Sequence, residues 1–317
     1  MVKFIDLFAG IGGIRTGFMQ ANEALECVFT SEIDRYAVQT YQENFGPENI
    51  HGDITTIDEK DVPAHDILLA GFPCQAFSIA GLRKGFEDTR GTLFFDVARI
   101  AAFHKPKVIF LENVKGFVNH DKGKTFATIR DILEEMGYKL YYKILNAKDY
   151  GVPQNRERIY IVGFLDHDAV FEFPEKSGLP TRLGDILEKN VSGKYTISDR
   201  LWAGHQRRKL EHREKGNGFG YSLFDIDSVY TSTISARYYK DGSEILVARG
   251  EGNNPRKLTP RECARLQGFP ENFQIPVSDN QAYRQFGNSV AVPVIRSIAE
   301  KVFETLDSAA ALATSVA

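Results

Sequence analysis

Cysteine is scarce: Cys27, Cys74 and Cys263 are the only three in 317 residues. They are odd in number, far apart and without a C-x-x-C pair, which argues against a disulfide framework and against a zinc site. Long hydrophobic runs are missing too. No apolar stretch reaches the roughly 18–20 residues that span a bilayer, and the opening MVKFIDLFAG lacks a secretory-signal profile. The expectation is a soluble, cytoplasmic protein. A basic excess is also absent, since the net charge is −3. Any nucleic-acid contact must then come from local patches, not from the field of the whole chain. There is no internal repeat.

What is present is an alternation of strand-like and helix-like segments. KFIDLF, ECVFTSEI, HDILLA, KVIFLENV and RIYIVGF read as strands. The helical segments among them are AGIGGIRTGFMQA, a glycine turn opening a helix, DRYAVQTYQENF, TLFFDVARIAAFHK and TFATIRDILEEMG. Such alternation predicts an α/β fold with a mostly parallel sheet covered by helices on both faces. Ligands of these sheets sit at the carboxyl ends of the strands. After Leu179 the rhythm changes to Gly-, aromatic- and Arg/Lys-rich sequence with short strand-like pieces, which predicts a smaller, irregular domain. Helical character returns at LTPRECARLQGF and VPVIRSIAEKVFETL, and the tail DSAAALATSVA is expected to be a frayed end.

Two constellations carry chemistry. In DLFAGIGG, Gly10, Gly12 and Gly13 follow a strand and open a helix, a context that lets a nucleotide-type cofactor approach the backbone. The pattern is not the G-x-G-x-x-G fingerprint, which disfavours a nicotinamide cofactor. Glu32 ends the second strand, where a carboxylate can accept from ribose hydroxyls, and Asp53 ends the next segment, within reach of an exocyclic amine. An adenosyl-type site accounts for both acids.

The second constellation centres on GFPCQAFSIAG. Cys27 and Cys263 read as small buried hydrophobes. Cys74, behind Pro73 at the mouth of a strand, reads as a nucleophile, since a thiolate is favoured in an electropositive, partly exposed site. The following SIAGLRKGFEDTRG carries Ser78, Arg83, Lys84 and Arg90 among glycines and suggests a lid over an anionic substrate. Glu112 closes the apolar strand VIFL, where a low-polarity crevice raises a carboxyl pKa. Arg156 and Arg158 in QNRER alternate onto one strand face. Thiol, acid, guanidinium and adenosyl site together describe one reaction. A thiolate adds at C6 of cytosine while an acid binds N3, and the enamine-like ring then attacks a methyl sulfonium.

With DLFAGIGG, GFPCQAFS, ENV, QNRER, RKLTPRECARLQGFP and QFGNSV in this order, the chain resembles a bacterial DNA (cytosine-5)-methyltransferase of the restriction-modification type over nearly its whole length. The resemblance implies a Rossmann-like S-adenosylmethionine-dependent fold. It implies a catalytic domain at 1–180 plus 288–317 and a target-recognition domain with hinge at 181–287. It places S-adenosylmethionine near Phe8, Gly10, Ile11, Gly13, Glu32, Ile33, Asp53, Ile54, Pro73, Leu93, Asn288 and Val290. It makes Cys74 the nucleophile, Glu112 the N3 partner and Arg158 the contact to the cytosine oxygen, with Arg156 in support. Two positions depart from some relatives: Ile33, where an aromatic residue can meet the adenine, and Ala80, where a serine can enter the DNA stack.

Double-stranded DNA is the implied partner, with a cognate restriction endonuclease alongside, and the enzyme is expected to act as a monomer without metal. Arg207, Arg208, Lys209, Arg237 and Tyr238 are the DNA-contacting residues expected in the second domain, Arg237 as a reader of guanine. GNGFGYS followed by TISARYYKDGSEIL looks like the recognition region for a CC-x-GG-type site. The rival functions are a transfer-RNA cytosine-5 methyltransferase and a catalytically silent DNA-binding regulator.

Overall fold

The computed structural model describes residues 1–47, 49–73 and 93–316. Cys74, Ser78, Ala80, Arg83, Lys84 and Arg90 therefore lie outside the described residues. The first part of the chain runs β1 (Val2–Leu7), α1 (Gly13–Ala21), β2 (Leu25–Ser31), α2 (Arg35–Phe45), β3 (Ile50–His51) and β4 (Ile67–Ala70). It continues with α3 (Phe94–His104), β5 (Val108–Val114), α4 (Lys124–Glu135), β6 (Lys139–Asn146) and β7 (Glu157–Phe164). These strands form one seven-stranded sheet in the order β3-β2-β1-β4-β5-β7-β6. β1 to β5 are mutually parallel, whereas β7 is antiparallel to both β5 and β6.

Both faces of the sheet are covered, which is why ILLA in β4 is an unbroken apolar run instead of an alternating one. One face packs Phe4, Phe110 and Val162 against α1 and α8 (Val292–Val316). The other packs Ile5, Leu68, Ile109 and Ile161 against α3 and α4. α1 and α8 meet closely because position 17 is glycine, where a Cβ would stand 2.6 Å from Ile295. This contact carries residues 287–290, just ahead of α8, to the strand ends.

Between β7 and α8 the regular elements are α5 (Asp199–Glu214), the two-residue strands β8 (Leu223–Phe224) and β9 (Leu246–Val247), α6 (Pro260–Leu266) and α7 (Asp279–Asn288). A third core, including Ile234, Tyr238, Leu258, Cys263 and Phe286, holds this part together and takes in Ile11 and Ala37 of the first. Inside it Arg256 grips Glu262 with two hydrogen bonds of 2.7 and 2.8 Å, and Thr259 with Glu262 forms a capping box at the start of α6. Cys263 is buried as expected, and burial pushes its thiol pKa well up.

Two expectations are corrected, and two elements, β6 and α5, were not foreseen. KLYYKILN is a half-exposed edge strand rich in lysine, and α5 buries only His205, so neither shows a clean apolar stripe. The tail expected to fray continues α8 as helix through Val316, in keeping with its alanine content. Tyr238, expected on DNA, is wholly buried. Its hydroxyl donates to the Ile245 carbonyl at 2.6 Å and accepts from the Leu258 amide at 2.8 Å, so no base can reach it.

Candidate active site

The carboxyl ends of β1 to β5 open into one cavity of about 460 Å³. Its wall begins with the turn after β1. Phe8 has φ +56°, a left-handed conformation that costs a non-glycine residue on the order of 1–3 kcal/mol. It is held there because the Ala9 amide donates to the Ser31 carbonyl at 3.0 Å. Gly12, at φ +79°, has no room for a side chain, since a Cβ would fall 2.2 Å from the Phe45 ring.

Glu32 fixes the turn from the neighbouring strand. Its Oε2 accepts from the Gly10 amide at 2.8 Å and its Oε1 from the Asp34 amide at 2.7 Å. The carboxylate thus spans the tips of β1 and β2 and still faces the cavity. Asp53 accepts from the Thr55 amide and hydroxyl and stands on the same wall. Ile33 is 74% exposed at the rim, so this side of the cavity is open. Leu93 and Pro73 flank it, and Asn288 and Val290 close it from the segment ahead of α8. All twelve residues expected around the cofactor line this one cavity. The structure adds Gln281, Arg284 and Gln285, carried in on α7. Gln285 opens the QFGNSV motif, and the other two lie just ahead of it.

Glu112 and Arg158 form the other end of the cavity. β5 and β7 pair so that Glu112 faces Tyr160 and Val114 faces Arg158, which places the acid and the arginine on one face. Arg158 Nε lies 3.1 Å from Glu112 Oε1, with the two side chains only 15% and 12% exposed. Burial raises the Glu112 pKa more strongly than Arg158 and Arg156 lower it. The raised carboxyl pKa expected from the sequence is therefore what the structure gives, for the expected reason.

Asn113 points to the opposite face. Its Nδ2 donates to the Phe72 carbonyl at 2.9 Å and so anchors the backbone leading into Pro73 and Cys74. Sequence reading passed over this role, although the alternation of side chains along ENV could have revealed it. Arg156 does not line the cavity. Its guanidinium donates to the carbonyls of Ile234, Gly287 and Ser289, and burial, with repulsion from Arg158, pushes its pKa down to about 9. It lies behind the part of the cavity wall formed by residues 287–290.

The basic residues expected on DNA are partly engaged within the protein. Arg207 pairs with Glu211 at 3.5 Å, and Arg208 with Asp241 at 3.3 Å. Lys209 donates to the Tyr221 carbonyl at 3.2 Å and sits over that ring. Arg237 is exposed, and none of the four lines the cavity.

A cavity lined by both a glycine turn and a largely buried carboxyl–guanidinium pair can hold two reactants. A family model described as C-5 cytosine-specific DNA methylase matches residues 2–304. The chain belongs to that family. This methylase is 64% identical to the Type II methyltransferase M.NlaX of Neisseria lactamica, over 97% of this chain and 98% of that protein. It is 63% identical to the Type II methyltransferase M.SsoII of Shigella sonnei, over 96% of this chain and 81% of that protein. Its fold matches the crystal structure of the S. pombe Dnmt2 methyltransferase with a TM-score of 0.80 at 25% identity, covering 97% and 100% of the two chains. The expected α/β fold and the expected activity, C5 methylation of cytosine in DNA, are thus borne out, and the activity requires a methyl donor. Among the described residues no helix is long and apolar enough to cross a membrane.

Proposed function

We propose that this methylase transfers a methyl group from S-adenosylmethionine to C5 of a cytosine extruded from a short duplex DNA site, acting as a cytoplasmic monomer beside a cognate restriction endonuclease. The observation that carries the reading is the shared cavity: the Glu32-braced glycine turn and the Glu112–Arg158 pair open into the same space. The Type II names of the relatives support the restriction-modification setting.

The residues fit the cofactor. Glu32 offers carboxylate oxygens to a ribose, while Phe8, Ile54 and Leu93 offer apolar surface to an adenine. When bound, S-adenosylmethionine supplies a methyl group on a positively charged sulfur. The chain does the rest. The Cys74 thiolate bonds to C6, Glu112 holds a proton at N3, and Arg158 donates to the base oxygen. Electron density released at C5 takes the methyl group. Loss of the C5 proton then expels the thiolate and restores the ring. Extrusion of the base costs a few kcal/mol, which contacts from the lid segment and from residues 181–287 offset.

Glu32→Ala is expected to weaken binding of S-adenosylhomocysteine, the product form of the cofactor, by roughly 10- to 100-fold. That is the range for losing charged hydrogen bonds of about 1.5–3 kcal/mol. Isothermal titration checks it, and unchanged affinity counts against the assignment. The target is a CC-x-GG-type site, for which the GNGFGYS and TISARYYKDGSEIL stretches speak. Bisulfite sequencing of exposed duplex DNA should show conversion-resistant cytosines confined to such sites. Resistance elsewhere rejects the site, and methyl transfer to transfer RNA but not to duplex DNA rejects the substrate.

A further inference from the structure

Three stretches meet behind the Glu112–Arg158 pair: the lead-in to β7, residues 231–236, and residues 286–290, which close the cavity. Two glutamines join them, Gln154 and Gln267, both wholly buried. Gln154 Oε1 accepts from the Ile234 amide at 3.0 Å, and its Nε2 donates to Gln267 Oε1 at 3.0 Å and to the Leu266 carbonyl at 3.2 Å. Gln267 Nε2 donates onward to the carbonyls of Phe286 at 2.6 Å and Ser289 at 3.4 Å. Two side-chain amides thus run unbroken from the backbone of the 231–236 stretch to the backbone on either side of Gly287 and Asn288.

Two of these stretches also touch backbone to backbone. A Cβ on Gly287 would stand 2.3 Å from the backbone of Ser235 and Ala236, so main chain rests directly on main chain. Arg156 spans the same junction through Ile234, Gly287 and Ser289. The next residues outward are Arg237, exposed, on one side and Asn288 and Val290, in the cavity wall, on the other. Neither glutamine lines the cavity. Buried amides that complete one another are costly to leave half-satisfied, so the pair fixes a single relative placement of the segments it joins.

We infer that Gln154 and Gln267 are a positioning pair through which the DNA-reading stretch and the cofactor wall order one another, so that cofactor and duplex DNA each strengthen binding of the other. The inference rests on reading the cavity as the cofactor site and residues 181–287 as the recognition region. A ligand that fixes 286–290 lowers the ordering cost of 231–237, and the reverse holds equally, since such coupling is reciprocal.

The test uses the full chain with S-adenosylhomocysteine and a duplex oligonucleotide carrying the methylated site. Gln267→Met keeps the length of the side chain and removes its polar atoms. Titration of S-adenosylhomocysteine with and without duplex gives the coupling ratio. It is expected to fall about tenfold towards one in Gln267→Met, with KM for DNA rising similarly and kcat within about threefold. Gln154→Met should lose the same ratio, and the double variant should lose no more than either single change. Leu133→Ala, on the buried face of α4, serves as the stability control. It lowers Tm by a cavity effect and should leave the ratio unchanged. A ratio unmoved in both glutamine variants, additive losses, or an equal loss in Leu133→Ala overturns the proposal, as does wild-type protein that binds the two ligands independently. Failure of the cofactor assignment is separately visible, as S-adenosylhomocysteine affinity indifferent to Glu32→Ala, and takes the proposal with it.

Discussion

Cys74→Ser is expected to lower the rate of methyl transfer by on the order of 10⁴-fold while leaving affinity for cofactor and duplex DNA within about threefold. Thiol and hydroxyl differ in nucleophilicity. A thiolate is accessible near neutral pH and adds readily to an electron-poor carbon, whereas a serine hydroxyl stays protonated and no longer attacks C6. The two side chains differ little in size, so binding should survive. Rapid-quench measurement of tritiated methyl transfer, with affinities measured in parallel, checks both halves. Duplex DNA bearing 5-fluorocytosine offers a second readout, because fluorine at C5 cannot leave as a proton. Wild-type enzyme should stall as a covalent adduct and the serine variant should form none. Turnover of Cys74→Ser within tenfold of wild type would sink the mechanism.

The second large effect belongs to Glu112. Replacing it with glutamine is expected to reduce kcat by about 10²–10⁴-fold, the usual range for a positioned acid. The substitution keeps a donor facing N3 but one that cannot yield its proton. The pH profile is more telling. Burial holds the Glu112 pKa above its ordinary value, so the protonated form persists to higher pH than in a free carboxyl. Activity that needs the proton is present below the raised pKa and is lost as pH rises through it. Glu112→Gln should therefore lack this alkaline decline at its lower rate, whereas Asp in its place should retain one. A decline of unchanged position in the glutamine variant would assign it to another group. The same shift has a stability consequence. The folded state holds this proton more tightly than the unfolded chain, so stability falls as pH rises from the ordinary carboxyl value through the raised one.

The residues that line the cavity were legible because each is tied to a local signal. Glycines after a strand mark the turn at Gly10–Gly13, and an acid at the end of VIFL marks Glu112. Alternation of apolar runs with helical periodicity gave the parallel sheet, since strands buried on both faces read as near-continuous apolar runs. The edge strand β6 and the polar helix α5 escaped notice because little of either is buried, so composition left no stripe to read.

By itself, then, the sequence determined the activity, the mostly parallel sheet and the identity of many residues gathered at its strand ends. Only the tertiary structure decided what those side chains face. Arg156 and Arg158 look equivalent two residues apart, yet one reaches Glu112 while the other grips carbonyls 78 and 131 residues away. Tyr238 and Arg237 are neighbours, yet one is core and the other surface. Local sequence fixes period and polarity. The partner of a buried polar group is set by segments that meet only after the sheet, α8 and the 231–290 stretch have packed, because a buried donor must find its acceptor wherever the chain brings one.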